Sequence, residues 1–234
     1  MKTPVAVGVR RVVATGSYAV VELDGEVDVG PPGTFGMVRD PAGAAFLPRP
    51  VGLFRRPDGT PAFLIDPAYG VGALARAATL EVLTPLGRGF DLDGATAAAT
   101  LAVGGGIGTT VFFGLPAALG GPVRVAAGFR EASQAAMLDL IEPAARREVA
   151  LAPQVVTDLV DLGGVERVLA SGPGPMVRAV AALAAAAGVP CQVALEAPMA
   201  CGFGACYGCA VQLDGTWKRL CIEGPVVEAA RVLA

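Results

Sequence analysis

The sequence of 234 residues contains no histidine. This absence excludes a histidine-based catalytic triad, a histidine general base and histidine ligands for zinc. Basic residues are not in excess either, because 18 lysines and arginines stand against 21 aspartates and glutamates, which gives a net charge of −3. A protein that grips a nucleic acid backbone needs a basic surface, so this charge balance disfavours nucleic acid as a partner.

Charge is missing from one long stretch, which lies between Asp93 and Arg124. Its length would be enough to cross a bilayer. However, four glycines lie within residues 104–108 and Pro116 follows them, a composition that does not suit a membrane helix. We therefore expect a buried strand, a glycine turn and a buried helix in this stretch.

An export signal is also missing from the start of the sequence, because Arg10 and Arg11 interrupt the apolar residues that follow Lys2. We therefore expect a cytoplasmic protein that is not bound to a membrane. In that compartment structural disulfides are rare, so the cysteines are expected to have another role.

The composition is that of a folded protein. Hydrophobic residues make up 53% of the chain and charged residues 17%, which excludes intrinsic disorder. The 32 glycines and 19 prolines indicate many tight turns. Up to about residue 92, short candidate strands alternate with turn signals such as Asp24-Gly25, and no long amphipathic helix interrupts them. This pattern predicts a small antiparallel β-barrel.

The pattern changes after this region, because candidate strands now alternate with candidate helices. That alternation predicts a Rossmann-like α/β unit with a parallel, doubly wound sheet. Strands are expected at 100–103, 123–130 and 165–171, and helices at 109–119, 131–140 and 176–188. The glycine turn at 104–108 suits either backbone contacts to a nucleotide pyrophosphate or simply close packing of a helix on a strand.

We expect the chain to form three units. These are an antiparallel barrel over 1–94, an α/β nucleotide-binding unit over 95–195 and a small cysteine-containing tail over 196–234. The tail should contain a β-hairpin that turns at Asp214-Gly215. Because the tail is too small for a core of its own, a bound metal is expected to hold it together.

Four of the five cysteines form one pattern, and they are Cys201, Cys206, Cys209 and Cys221. The spacing C-x4-C-x2-C, followed by a more distant cysteine, is that of a plant-type [2Fe–2S] site. Three intervening glycines let the backbone curl so that its N–H groups point at the sulfurs. Zinc and redox-active thiols are the alternatives, although only Cys206 and Cys209 have the spacing of a zinc knuckle. The fifth cysteine, Cys191, is predicted to be a small buried hydrophobic residue on a strand.

Two segments around these cysteines, 199–209 and 221–226, carry a resemblance to a known family. Together with the predicted barrel and α/β unit, they resemble the electron transfer subunits of class 1B dihydroorotate dehydrogenase, within the ferredoxin reductase superfamily. The resemblance extends over nearly the whole chain. Further similar segments are 84–90, 105–108, 128–130 and 172–176.

The resemblance implies that FAD binds to the barrel through an Arg-Pro-x-Ser segment. Here the segment begins with Arg49, whose fork-shaped cation suits the flavin pyrophosphate, and it ends with Gly52, which lacks the serine hydroxyl. A later Gly-Thr pair of the family also lacks its hydroxyl here, at Ala73. The alternative for Arg49 is a surface charge beside a turn. The candidate cofactor-binding residues, including those for NAD+, are Arg49, Pro50, Val51, Gly52, Leu64, Ile65, Asp66, Gly72, Ala73, Gly105, Gly106 and Gly108.

The function that the resemblance implies is that of an oxidoreductase subunit in pyrimidine biosynthesis. A catalytic subunit would oxidise dihydroorotate on its own FMN, and electrons would pass through a [2Fe–2S] cluster on the four cysteines to FAD and then to NAD+. The resemblance also implies a heterotetramer with two copies of each subunit. The cofactors carry this chemistry, so the hydride step needs no side-chain acid or base, in agreement with the absence of histidine. Phe203 and Tyr207 would either face the partner or pack the cysteine loop.

Two other functions remain open from the sequence. One is a reductase or hydrogenase-linked subunit of the same superfamily, which would use NAD(P)H toward a different acceptor. The other is a non-enzymatic scaffold whose tail is held by zinc. Flavin and iron–sulfur bands in the visible spectrum would exclude the scaffold.

Overall fold

The computed structural model describes residues 2–43, 45–69, 71–141 and 146–233. Its strands are β1 Val5–Thr15, β2 Tyr18–Leu23, β3 Phe35–Arg39, β4 Arg49–Val51, β5 Leu53–Arg55, β6 Pro61–Ile65, β7 Thr79–Leu86, β8 Thr100–Gly105, β9 Arg124–Phe129, β10 Arg146–Leu151, β11 Arg167–Ser171, β12 Cys191–Ala194, β13 Ala210–Leu213, β14 Thr216–Arg219 and β15 Val226–Glu228. The α-helices are α1 Leu115–Leu119, α2 Ala132–Ala135, α3 Gly174–Ala186, α4 Leu220–Glu223 and α5 Ala230–Leu233. The 3₁₀ helices are Pro67–Tyr69, Leu74–Arg76, Gly106–Phe112, Ala136–Leu140 and Val156–Leu159.

The first seven strands form one antiparallel sheet in the order β4-β3-β7-β1-β2-β6-β5. Its core includes Val21, Val38, Phe63, Leu80 and Val82, which are fully buried. The predicted closed barrel is not what the pairings show, because no hydrogen-bonded ladder joins β4 to β5 in the described parts of the chain. The two edge strands are nevertheless adjacent along the chain, with only Gly52 between them. The sheet therefore curls so that its two edges meet at this glycine.

The second sheet has the order β10-β9-β8-β11-β12-β15. Its first five strands are parallel, which confirms the predicted parallel sheet, and β15 pairs antiparallel with β12 at the edge. β8 is buried along its whole length, as expected for a central strand that is covered on both faces. Cys191 begins β12 and is only 7% exposed, so the prediction of a buried residue on a strand is confirmed.

The prediction of one continuous helix over 109–119 is wrong. The chain forms the 3₁₀ helix Gly106–Phe112 and then α1, and the two residues between them, Phe113 and Gly114, keep right-handed helical backbone angles without joining the two into one helix. The consecutive β-branched residues Thr109, Thr110 and Val111 disfavour a regular α-helix in this position. The predicted helix over 131–140 is likewise divided into α2 and a 3₁₀ helix, whereas α3 begins two residues earlier than predicted.

The tail returns to both sheets. β13 and β14 form the predicted hairpin, and its turn places Asp214 at φ 51° and Gly215 at φ 70°, as a two-residue turn between twisted strands requires. Leu220 and its neighbours pack on β3 and β7 of the first sheet, so protein contacts as well as any metal hold this segment. Among the described residues, none of the helices has the length and apolar character that a bilayer crossing would require.

Candidate functional site

The centre of the second sheet provides a crevice at the point where the strand order reverses. β8 has β9 on one side and β11 on the other, so the loops after β8 and β11 leave the sheet in opposite directions. At their carboxyl ends the two strands come very close: a Cβ on Gly172 would lie 2.9 Å from the Cα of Gly105. Open α/β sheets bind their ligands in such crevices.

A first cavity of about 510 Å³ lies between the first sheet, this crevice and the start of the tail. Seven of the predicted cofactor-binding residues line it, and they are Pro50, Val51, Gly52, Leu64, Ile65, Asp66 and Gly108. Thr110, Ser171 and the segment 194–199 complete the wall from the other side. The cavity is therefore an inter-sheet cleft with apolar strand residues on one wall and the glycine turn on the other.

Five of the twelve predicted cofactor-binding residues do not line this cavity, and two of these, Gly105 and Gly106, line an adjoining one. Arg49 is exposed at the start of β4, and its guanidinium has no hydrogen bond or ion pair with any described residue. It is therefore available to an anion at the cavity edge, and the alternative of a plain surface charge also remains. Gly72 and Ala73 lie just before the 3₁₀ helix Leu74–Arg76, and Ala73 is exposed.

A second cavity of about 640 Å³ adjoins the first on the side of the α/β sheet. The predicted residues Gly105, Gly106 and Gly108 line it, together with residues that follow β9 and β11. The glycines also serve packing, because a Cβ on Gly105 would lie 2.7 Å from the Met176 Sδ atom. Both interpretations of the glycine turn, ligand contact and close packing, are thus compatible with one geometry.

Glu196 is a residue of both cavities that our sequence reasoning did not single out. Its side chain is exposed at the cavity wall, but the protein atoms around the carboxyl group partly desolvate it and raise its pKa above the ordinary value. The carboxylate makes no hydrogen bond to any residue that the structure describes, and its Oε1 atom would lie 3.0 Å from a Cβ on Gly108. Only its position, at the entry to the cysteine tail, could have drawn attention to it.

The four predicted metal ligands lie on one loop and on α4. Cys209 and Cys221 are buried with their Sγ atoms 3.2 Å apart, whereas Cys206 is exposed and Cys201 partly so. Burial alone would raise the pKa of the Cys201 thiol, but backbone N–H groups of Cys206, Phe203 and Ala205, with the Cys206 side chain, lower it to about 6. Burial and the neighbouring Cys209 raise the pKa of the Cys221 thiol to about 12. The sulfurs thus form two pairs, 201 with 206 and 209 with 221.

This pairing has a consequence for the kind of metal that fits. No three or more Cys, Asp or Glu side chains converge on a point that could hold a single metal ion in the part of the chain that is described. A tetrahedral zinc site would need four such ligands around one ion. A [2Fe–2S] cluster instead needs four thiolates shared between two irons, which two separate pairs can supply.

Protein contacts hold the cysteine loop in its curled shape. Gly202 has φ 77°, and a Cβ there would lie 2.3 Å from the Met37 Cγ atom, so the loop is pressed against β3. Arg219 donates a hydrogen bond to the carbonyl oxygen of Gly204 at 3.0 Å and a second to Glu223 at 3.1 Å. Its guanidinium also lies 4.9 Å from the centre of the Tyr207 ring. Contacts within the protein therefore position the loop without the help of a metal.

Several hydrophobic side chains of the cysteine tail are exposed. They belong to the loop, the hairpin and α4, and they are Phe203, Tyr207, Trp217 and Ile222. Trp217 is 68% exposed and Tyr207 61%, which is unusual for aromatic residues of this size. Exposed hydrophobic side chains that adjoin one another mark sites of protein–protein contact.

Comparison with known proteins identifies the family. A family model described as the iron-sulfur cluster binding domain of dihydroorotate dehydrogenase B matches residues 196–233. The chain is 30% identical to the dihydroorotate dehydrogenase B (NAD(+)) electron transfer subunit of Caldanaerobacter subterraneus subsp. tengcongensis, over 86% of this chain and 87% of the relative. It is also 30% identical to the subunit of the same name from Shouchella clausii, over 94% of each chain.

Solved structures agree on the fold. One, described in the work "Insights into flavin-based electron bifurcation via the NADH-dependent reduced ferredoxin-NADP oxidoreductase structure", matches with a TM-score of 0.80 at 21% identity, over 96% of this chain and 88% of the other. A ferredoxin reductase in carbazole 1,9a-dioxygenase matches with a TM-score of 0.63 at 21% identity, over 80% and 67%. The fold is therefore that of ferredoxin reductases, with an iron–sulfur binding region at the carboxyl end. By its similarity to relatives over most of their length, the chain belongs to the family of dihydroorotate dehydrogenase B electron transfer subunits.

Proposed function

We propose that this protein takes electrons from the FMN of a dihydroorotate dehydrogenase catalytic subunit and passes them through a [2Fe–2S] cluster and FAD to NAD+. It would thereby act as an oxidoreductase subunit in pyrimidine biosynthesis. The observation that carries the proposal is continuity: segment 194–199 lines the first cavity and runs directly into Cys201. The second cavity therefore adjoins the first, and the first adjoins the cysteine loop, in the order that the electron path requires.

The cysteine loop fits the cluster. Each sulfur pair, Cys201 with Cys206 and Cys209 with Cys221, would hold one iron. The N–H groups that point at the Cys201 sulfur favour its thiolate form, which is the form that binds metal. Buried Cys209 and Cys221 lie against the first sheet, so one side of the site is shielded from water while Cys206 stays at the surface.

The two cavities fit the nucleotide cofactors. FAD would occupy the first cavity, with its ring near Leu64, Ile65 and Asp66 and with Arg49 available for its pyrophosphate. NAD+ would occupy the second, where the glycine turn leaves the backbone bare. We also infer that the first unit forms a barrel-like surface for FAD, because the edge strands β4 and β5 of its sheet meet at Gly52. The three units 1–94, 95–195 and 196–234 would thus hold FAD, NAD+ and the cluster.

The chain contributes positioning rather than bond chemistry. When bound, the cofactors supply the one-electron relay and the hydride transfer. The first sheet and the crevice hold the two nucleotides in adjoining cavities, and Glu196 places a carboxyl group at their junction. The exposed patch of Phe203, Tyr207, Trp217 and Ile222 would receive the catalytic subunit beside the cluster. We take the assembly to contain two copies of each subunit.

The proposal is tested by anaerobic co-expression with an FMN-containing dihydroorotate dehydrogenase catalytic subunit. We expect the purified complex to contain iron, acid-labile sulfide, FAD and FMN, and to reduce NAD+ when dihydroorotate is added. Replacement of Cys209 by serine should abolish the cluster and NAD+ reduction. The matched control is Cys191→Ser, since Cys191 lies on β12 away from the loop.

Three results would contradict the proposal. Zinc in place of iron and sulfide would identify the tail as a structural zinc site. A complex that oxidises NAD(P)H toward another acceptor, without dihydroorotate-dependent activity, would favour the alternative reductase or hydrogenase-linked function. Loss of the cluster in both cysteine variants would show that the four-cysteine assignment is wrong.

A further inference from the structure

Gly52 is one of two positions, with Ala73, that lack a hydroxyl group implied by the family resemblance, and the structure shows which side chain lies beside it. The residue joins β4 to β5 and lines the first cavity. A Cβ on Gly52 would meet the Oγ1 atom of Thr110 at 3.1 Å, closer than most Cβ contacts in proteins. The space that a side chain at position 52 would use is therefore already occupied by a hydroxyl group from another part of the chain.

Thr110 reaches this place from the α/β unit. It lies in the 3₁₀ helix Gly106–Phe112, it is only 8% exposed, and it lines the first cavity. Its Oγ1 atom donates a hydrogen bond to the carbonyl oxygen of Ile107 at 2.9 Å. A threonine hydroxyl has one hydrogen and two lone pairs, so it can still accept a hydrogen bond, or turn its hydrogen toward a new acceptor.

We propose that Thr110 is a flavin-binding residue whose hydroxyl takes over, from the opposite wall of the cavity, the contact that position 52 cannot make. The inference rests on the proposed function in one respect, namely that FAD occupies the first cavity. The hydroxyl binds the phosphate–ribityl chain of FAD, either by donating to a phosphate oxygen or by accepting from a ribityl hydroxyl group. Gly52 and Thr110 therefore act as one unit, because a larger residue at 52 would crowd the threonine.

This arrangement has a structural consequence. A hydroxyl on β4 or β5 would belong to the first sheet alone, whereas Thr110 belongs to the segment that follows β8 of the second sheet. FAD held by both would link the two sheets across the cleft. Removal of the Thr110 hydroxyl should therefore weaken FAD binding and leave the cluster loop, which packs on β3 and β7, unchanged.

The test removes the hydroxyl group at position 110 and places one at position 52. Binding is measured by FAD titration of the flavin-depleted protein, and iron content shows whether the fold is intact. We expect Thr110→Val to raise the FAD dissociation constant about fivefold to tenfold, the effect of one lost hydrogen bond. Thr110→Ser keeps the hydroxyl and should bind like the unmodified protein. Thr110→Ala should bind weakly, and Gly52→Ser combined with Thr110→Ala should recover most of the lost affinity.

The matched control is Thr109→Val. Thr109 is fully buried, its Oγ1 atom has no hydrogen-bond partner among the described groups, and it lines neither cavity, so its loss should not change FAD affinity. The double variant Gly52→Ser, Thr110→Ala distinguishes the two roles of the Thr110 hydroxyl group. Serine at position 52 can restore a contact with FAD, but it cannot restore the hydrogen bond to the carbonyl oxygen of Ile107. Unchanged affinity in Thr110→Val, or a double variant no better than Thr110→Ala, would overturn the inference. Unmodified protein that binds no FAD would contradict the proposed function itself.

Discussion

Alanine at position 202 should dislodge the cysteine loop from the first sheet. Gly202 has φ 77°, where an L-residue costs roughly 1–2 kcal/mol. A Cβ there would also lie 2.3 Å from the Met37 Cγ atom and 3.1 Å from the Leu86 Cδ1 atom, and both side chains are buried. Extra atoms in a packed core cost typically about 1–3 kcal/mol. The two effects together predict a loss of about 2–5 kcal/mol.

Gly215→Ala is the control that separates these two effects. Gly215 has φ 70°, but a Cβ there would have nothing within 4 Å. This variant should therefore carry only the backbone strain of roughly 1–2 kcal/mol. The assay is urea unfolding of both variants under anaerobic conditions, with unfolding midpoints compared at equal slope and iron content measured beforehand.

The reasoning requires a difference between the two variants. Gly202→Ala should have the lower midpoint and should lose iron, whereas Gly215→Ala should keep its iron because a Cβ at position 215 contacts nothing within 4 Å. Equal midpoints and equal iron contents would show that the loop does not depend on its contact with Met37. In that case the metal alone would hold the tail, as the sequence had led us to expect.

Three further changes test other contacts. Leu220→Ala should lower the free energy of unfolding by about 2–5 kcal/mol and reduce iron content, because Leu220 is fully buried beside Cys209. The control is Leu183→Ala, at a position that is 41% exposed. Equal unfolding midpoints in the two variants would refute this prediction. Arg219→Lys should speed iron loss to a chelator, because lysine has one nitrogen in place of the two that Arg219 uses to bond Gly204 and Glu223. An unchanged rate of iron loss would contradict this. Glu196→Gln should flatten the pH dependence of stability. Because the pKa of Glu196 is raised in the folded protein, the free energy of unfolding should fall as the pH rises from about 4.5 to the folded-state pKa. If the variant shows the same fall in stability, Glu196 is not its source.

Local signals in the sequence were enough for part of the fold. The Asp214-Gly215 turn was predictable because both residues tolerate positive φ and stand between two short strands. The parallel sheet was predictable because its strands are buried on both faces and alternate with helical segments. β10 was missed, because Arg146–Leu151 lies at an edge with charged residues at its start and has β9 as its strand neighbour.

The candidate site was less accessible to sequence reasoning wherever it depends on contacts between distant segments. The cysteine spacing could be read directly, since the four ligands lie within 21 residues of each other. The pairing of Gly52 with Thr110 joins positions 58 residues apart and follows only from the packing of the two sheets. The same holds for the packing of Leu220 beneath the cysteine loop. Neither contact leaves a pattern in the local sequence.

The absence of histidine gains a structural meaning once the cavities are known. Asp66 and Glu196 are the carboxylates that line both cavities in the described part of the chain. Asp66 accepts a hydrogen bond from the backbone N–H of Ala68 at 2.9 Å. Glu196 has no such donor among the described residues, and partial desolvation by the surrounding protein atoms raises its pKa although the side chain is exposed. The Glu196 carboxyl group therefore holds a proton more readily than an ordinary glutamate, at the junction where a protein with histidine could have used that side chain instead.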